Sequence, residues 1–486
     1  MRKRLLLGAA PLLASAILSA QPAPAQGVRP EALRRHVEVL ASDAYEGRKP
    51  GTPGEAKAIQ YIASQFAALG LEPGAGNRSW YQPVPLVDRR AVSHRANFIA
   101  NGRPITFDQN DLVLLGGRSS ERVTDAPVWF VGRGGAEQLA GADLRGAVVL
   151  MLLDPASTET EQRMAAVRKA GAAAIIQILG SDLPWGAISS AARRGGRDQL
   201  QREGGPEGFM PEAAALRLLS RAELDAASQP GSRAARLPVR ATLDVSTQVN
   251  AYTSYNVIGR LRGRGSTGES VLYLGHWDHL GICRPQGAAD RICNGAVDNA
   301  SGIAMLIEAA RGLARGQRPE RDILFMATTA EESGLLGAEH FVANPTVPLR
   351  SIVAAINVDT VAIAPRGEPV AIVGRGTTPL DPIIDGTARE LGRKVDPDIE
   401  GNGFIQRQDG WALTRAGVPA VMVGGSFSSL AKLNTFLSGA YHKPEDDLKR
   451  PIELGGAAED TDLLIALGRK LANPKRFGPA AAAKRQ

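Results

Sequence analysis

The feature that most constrains this chain lies in its second half. From about residue 250, short apolar runs alternate with helical stretches. Residues 271–274, 323–329, 352–358 and 419–424 read as strands, and 301–315 and 335–343 as helices. The strand runs are continuous in Val, Ile, Leu and Ala rather than alternating apolar with polar. A strand that is apolar on both sides must be covered on both faces. The expected fold class is therefore α/β, with a twisted, largely parallel central sheet and helices on both faces. In open sheets of this kind, chemistry gathers beyond the carboxyl ends of the strands. Functional residues are expected immediately after these runs.

The first half has a different texture. Ile59, Ile62, Phe66 and Leu69 recur at the spacing of one helix face, and Gly70 stands where a helix would stop. Polar, turn-rich sequence follows to about residue 105. Between 106 and 245, short apolar runs (128–131, 147–153, 174–179) surround one helical segment at 160–172, and a Gly- and Arg-rich stretch spans 189–208. His, Asp and Glu do not gather there. At roughly 150 residues per domain, 486 residues allow two to three domains. The expected organisation is a catalytic domain from 26–105 and 246–475, an insert from 106–245, and a basic tail from 476–486 expected to be disordered.

Residues 1–25 read as a secretory signal. Arg2, Lys3 and Arg4 precede an apolar run at 5–18, and Ala23, Pro24 and Ala25 form a small-x-small cleavage site. The run is shorter than the ~20 residues a bilayer span needs. A periplasmic or secreted protein with no membrane attachment after cleavage is expected. The formal charge of +7 falls to +4 once the three leader cations are removed. With no long Lys/Arg run, a nucleic-acid partner is not expected. Two Cys exclude a disulfide-dense scaffold and a four-Cys zinc site. An exported chain permits Cys283 and Cys293 to pair and brace the loop between them.

The residues that follow the strands carry chemistry. The segment GHWDH occupies 275–279, NGAVDNASG 294–302, AEESG 330–334, Asp359 ends the third run, and YHKPEDD lies at 441–447. Two imidazoles and three carboxylates form a ligand set that Zn²⁺ accepts. If one carboxylate bridges, two ions can share a hydroxide and clamp an oxyanion. A carboxylate off the metals is then needed to take the proton from that water. Glu331 and Glu332, pointing opposite ways at a strand end, supply both kinds. Asp278 is placed to hold the far ring nitrogen of His276. His279 reads as a satisfied neighbour rather than a ligand, and His36, His94 and His340 as structural. Trp277 and Trp411 suit either the pocket or the core.

These motifs, in this order, resemble the cocatalytic two-zinc peptidases: bacterial leucyl aminopeptidases and, more distantly, glutamate carboxypeptidase II and the transferrin receptor. Glu46, Gly47 and Arg48 with GTPG at 51–54 resemble that family's opening, and the insert resembles a protease-associated domain. The resemblance implies the zinc exopeptidase fold and two Zn²⁺ per chain. His276, Asp298 and Asp359 would hold one ion, and Asp298, Glu332 and His442 the other. Glu331 would be the general base and later acid, with Asp278 orienting His276. It also implies a cis peptide at Asp298-Asn299, with Asn299, Ser301 and Gly302 fixing the turn. The chain departs from the family's pattern at Thr360, where Met is usual, and at Gln408 and Gly410, where Ser and His are usual. The implied function is an aminopeptidase acting on peptide substrates through a metal-bridged hydroxide. The alternatives are a carboxypeptidase or dipeptidase on the same site, a one-metal aminoacyl cyclase, and a non-catalytic receptor-like homologue. The oligomeric state is open.

Overall fold

The computed structural model describes residues 27–478, apart from 155–158, 200–203, 228, 230, 231 and 266. The signal read at 1–25 lies outside the described residues. Two helices open the described chain, α1 (Pro30–Leu40) and α2 (Pro53–Ala68), and Gly70, at φ +78°, follows the second.

The next element departs from the expectation of turn-rich sequence. Strand β1 (Tyr81–Ala100) is 20 residues long and carries Pro83, Pro85 and three arginines. These residues hid it. Pro83 and Pro85 share parity along the strand, so their missing N–H groups fall on one edge. At both prolines β1 pairs with the later strand β6, in the register Pro83↔Tyr255 and Pro85↔Thr253, and pairing on its other edge, with the strand Gly196–Gln199, begins only at Leu86. Beyond residue 90 half of its side chains are exposed and only Ala96 and Phe98 are buried, which leaves little apolar alternation to mark a strand.

Between 106 and 245, where Val113–Leu115 and Gly196–Gln199 pair antiparallel at edges, four strands form the parallel part of the sheet: β2 (Ser120–Phe130), β3 (Val148–Leu152), β4 (Ala174–Leu179) and β5 (Glu207–Pro211). They pair in parallel in that order, and the helix Thr160–Lys169 connects β3 to β4. Strand β6 (Ala235–Leu261) is 27 residues long and joins both halves of the molecule. It pairs antiparallel with β1, with β2 and with a strand of the second half. The expected boundary at 245/246 falls inside β6, and that at 105/106 inside the strand Arg103–Phe107.

The second half builds the sheet that positions the site. Strands β7 (Ser270–His276), β8 (Asp322–Thr328), β9 (Ile352–Asn357), β10 (Ala371–Val373) and β11 (Ala420–Gly424) lie in the order β10-β11-β9-β7-β8-β6. The inner pairs β8–β7, β7–β9 and β9–β11 are parallel, and the outer pairs are antiparallel. Every residue of β7, β9 and β11 is buried. One face is covered by α1, α2, α3 (Gly302–Ala314) and α5 (Leu454–Leu471), and the other by α4 (Leu336–Ala343) and the helix Gly410–Arg415. This is the expected α/β class.

The start of the stretch expected to be a disordered tail is held in place. Arg321 donates from its guanidinium to the carbonyls of Phe477 and Gly478, which fixes the chain through 478. Residues 479–486 lie outside the described chain. Among the described residues no helix is long and apolar enough to cross a membrane.

Candidate metal centre

The carboxyl ends of β7, β8 and β9 point to one place, and the residues read as chemical stand there. His276 is the last residue of β7 and pairs in register with Thr328 of β8. Its Nε2 lies 3.3 Å from Asp298 Oδ1 and 3.5 Å from Asp359 Oδ1. The second oxygen, Asp298 Oδ2, lies 3.3 Å from His442 Nε2, which in turn lies 2.8 Å from Glu332 Oε2. Glu331 Oε2 sits 3.9 Å from His276 Nε2. Possible ligand atoms of His276, Asp298 and Glu332 fall within 4.8 Å of one another, as do those of His276, Glu331 and Asp359. Distance alone thus admits Glu331 as a ligand, where the sequence reading makes it a base.

The loop before α3 aims Asp298. The Asp298-Asn299 peptide is cis, as the resemblance implied. Asn299 Oδ1 accepts from the N–H groups of Gly302 and Thr360, and its Nδ2 donates to the Val358 carbonyl. Ser301 Oγ donates to the Val297 carbonyl. A Cβ on Gly302 would fall 2.6 Å from the Val358 oxygen, so only glycine lets α3 start this close to the end of β9. Cys283 and Cys293 are joined in a disulfide, with Cα atoms 5.8 Å apart.

Two local readings need correction. Glu331 and Glu332 do not diverge as neighbours on a strand. Ala330 turns the chain at φ 52°, and both acids sit in the 3₁₀ turn Glu331–Ser333. The Asp278 carboxylate faces the far ring nitrogen of His276 but is not the group nearest to it. Nδ1 of His276 lies 3.1 Å from the backbone carbonyl of Asp278 and 3.8 Å from its Oδ1, which accepts from the Glu331 N–H. The chain turns sharply after β7, and the backbone oxygen reaches the ring before the side chain does.

The residues where the chain departs from the family's pattern behave differently from one another. Thr360 donates from its hydroxyl to Asp359 Oδ1. Gln408 is buried, and it turns back to accept from the Gly410 N–H and to donate to the Ile405 carbonyl. Its amide is thereby used within its own loop.

Several groups at the site carried no role in the sequence reading. His279 is buried, and its Nδ1 lies 2.6 Å from Glu332 Oε1. Arg48, only 1% exposed, donates to the carbonyls of Leu40, Trp277, Asn294 and Gly295. Asp446 accepts from the N–H groups of Val297 and Asp298. The spacing of Arg48 from the metal-site motifs, more than 200 residues, hides its place. Trp277 is fully buried in the core and donates to the Tyr255 carbonyl.

The charges are mutually dependent. Burial disfavours a charged His276, but Glu331, Asp298 and Asp359 outweigh it and hold its pKa well above the imidazole range. Burial, then Asp359, Asp409 and Glu332, push the Glu331 carboxyl well up against the pull of His276. Burial would raise Asp298, but His276, His442 and His279 bring it well below the carboxylate range. His442 rises to about 9 against its burial, through Asp298 and Glu332. His276 Nε2 and Asp298 Oδ2 are buried and make no well-aligned hydrogen bond among the described residues. Acidic oxygens packed around imidazole nitrogens, with buried atoms unpartnered, fit divalent cations, and this donor set suits zinc.

The chain is similar to several known proteins. The mouse aminopeptidase NAALADL1 is 30% identical over 175 residues, which are 35% of this chain and 20% of that protein. The leupeptin-inactivating enzyme 1 of Streptomyces exfoliatus is 29% identical over 223 residues, 43% of this chain and 48% of that one. The chain thus spans between a fifth and a half of the length of these two relatives. Among solved structures, the aminopeptidase from Aneurinibacillus sp. strain AM-1 superposes with a TM-score of 0.57 at 18% identity, over 93% of this chain and 96% of that one, so the fold is shared. Residues 256–467 match Peptidase family M28. That stretch, under half of the chain, contains all five expected ligands, Asp278 and Glu331, and is what this chain shares with that family.

Proposed function

We propose that this chain is an exported zinc-dependent aminopeptidase with two ions per chain. His276, Asp298 and Asp359 hold one ion, and Asp298, Glu332 and His442 hold the other. The observation that carries this reading is the Asp298 carboxylate, whose Oδ1 and Oδ2 each lie 3.3 Å from a different imidazole. A carboxylate that serves two separate donor sets is what a bridging ligand requires.

Bound zinc supplies a water acidic enough to attack at neutral pH and a positive seat for the peptide carbonyl oxygen. The chain's own groups do the rest. Glu331 takes the proton of the attacking water and returns it to the leaving amine, a role suited to a carboxyl whose pKa burial and neighbouring acids raise. Asp278 fixes the Glu331 backbone through its N–H. Tyr441 stacks on the His442 ring at 3.7 Å, and burial, then nearby carboxylates, keep its phenol protonated. That hydroxyl is the donor offered to the carbonyl oxygen, since Gln408 is occupied elsewhere. The free amine of the substrate sits against the carboxylates. A disulfide between Cys283 and Cys293 suits an oxidising compartment. The insert at 106–245, protease-associated in character, shapes access to the site.

The test is hydrolysis of leucyl-p-nitroanilide beside its N-acetyl derivative, with metal analysis. Turnover of the free amine alone, two zinc ions per chain, and loss on chelation with recovery on zinc addition are expected. Cleavage of the acetylated substrate at an equal rate overturns the aminopeptidase reading.

A further inference from the structure

A cleft of about 820 Å³ opens beside Glu332 and His279. On the catalytic side it is lined by Lys49, Leu280 and Ser333, and on the other by Arg90 and Gln248 of the β1–β6 ribbon. It therefore runs directly off the metal centre and is walled by the element that joins the two halves.

Beside the buried Arg89, two exposed cations mark it. Arg90 is exposed, and its Nε and Nη2 both donate to Gln248 Oε1, opposite it in the ribbon register. A neutral amide holds the guanidinium in place and leaves its charge uncancelled. Lys49 is exposed, and its ammonium makes no ion pair or hydrogen bond among the described residues. Its backbone is fixed nonetheless. Arg48, the residue before it, is clamped to four carbonyls, and the Arg48 carbonyl accepts from the His279 N–H. The Lys49 stem lies over Gly281, where a Cβ would meet Lys49 Cβ at 2.7 Å. The acids of the cleft have other work: Glu332 lies against His279 and His442, and Asp88 accepts from the Tyr252 hydroxyl.

We infer that Lys49 and Arg90 receive a carboxylate of the peptide substrate in this cleft, so that the enzyme favours short peptides with a free C-terminus or an acidic side chain just beyond the scissile bond. The inference rests on the peptidase reading above. A carboxylate here exchanges two solvated cations for charge-assisted hydrogen bonds, and a guanidinium held flat by Gln248 is preorganised for that contact.

The experiment compares kcat/KM for three substrates with the same N-terminal residue: Leu-Ala, Leu-Ala-amide and Leu-Glu-amide, with the matching tri- and tetrapeptides. The free acid or the glutamyl amide should exceed the neutral amide by about tenfold or more at some length. Which of the two does so distinguishes a terminal carboxylate from an acidic side chain. In Lys49→Ala with Arg90→Ala the ratio should fall toward one. In Lys49→Glu with Arg90→Glu it should invert, a result that misfolding does not produce. Equal rates for charged and neutral members at every length overturn this inference alone. Hydrolysis of none of them overturns both it and the peptidase reading.

Discussion

His279 offers the sharpest single-residue test of how the centre is held. Its Nδ1 lies 2.6 Å from Glu332 Oε1, while His442 Nε2 faces Oε2 of the same carboxylate. One oxygen is thereby anchored and the other is left to face a cation. The ring is fixed as well, since a Cβ on Gly295 would fall 2.6 Å from its Cγ. With Asp298 Oδ2 at 3.9 Å, the short contact is to Glu332 alone. His279→Leu removes the donor and keeps the bulk. A hydrogen bond to a charged group contributes about 1.5–3 kcal/mol, which converts to roughly a 10- to 150-fold loss of zinc affinity. That range overlaps the usual effect of groups that orient a metal ligand. The loss should fall mainly on the ion held by Glu332 and His442, because the only member of the His276 set near His279 is the shared Asp298, at 3.9 Å. His279→Asn should restore most of it, since the Asn amide nitrogen takes the place of Nδ1, whereas His279→Gln should not. Zinc competition with a chromophoric chelator reads both sites directly, without turnover. If His279→Leu binds both ions with wild-type affinity, or weakens both equally, Glu332 is not oriented by this ring.

Three further outcomes follow from the same geometry. Glu331→Gln should retain zinc and lose about 10²- to 10⁴-fold in kcat, the share of a positioned acid–base group; near-wild-type turnover would assign the proton transfer elsewhere. Replacing Cys283 and Cys293 by Ser opens a loop with a sequence separation of 10, which should cost about 2–3 kcal/mol in urea unfolding of the zinc-free protein. Arg48→Met strands four carbonyls at about 1–3 kcal/mol each, partly offset because a charge no longer has to be buried, so a net loss of about 2–4 kcal/mol is expected in the same assay.

The metal-site residues were legible because the sheet advertises itself. Strands such as 271–274 and 352–358 are buried on both faces, so nearly every residue is apolar, and the residue that ends each run is conspicuous when it is His or Asp. The ribbon of β1 and β6 was not legible, because long stretches are solvated on one or both faces and β1 carries Pro83, Pro85, Arg89 and Arg90 where a strand signal would lie. Residues that act through the backbone left no pattern either. Asp278 was read as a carboxylate partner of His276 because spacing names side chains, whereas the ring meets a carbonyl whose position depends on the turn after β7.

This last class of residue explains how the centre can exist before metal arrives. Four carboxylates and three imidazoles from five separate segments converge in a buried space, and without cations the acids oppose one another, which adds to burial in raising the Glu331 carboxyl. What holds the segments is a set of polar groups that take no part in the ligand sets and address peptide groups. Arg48 ties the end of β7 to the approach of Asp298 through the Trp277, Asn294 and Gly295 carbonyls. Asp446, four residues beyond His442, reaches back to the Val297 and Asp298 N–H groups. Asn299 joins the Asp298 turn to Val358 and Thr360 on either side of Asp359. Asp278 joins the turn after β7 to Glu331. Each bridge links two ligand-bearing segments, and together they connect all five. Burial of the Arg48 charge, which lowers its pKa to about 10, is compensated partly by Asp446, Asp298, Asp278 and Glu332 around it. The cation beneath the site therefore both fixes the loops and offsets part of the negative charge gathered above it, and metal binding is left with less reorganisation to drive.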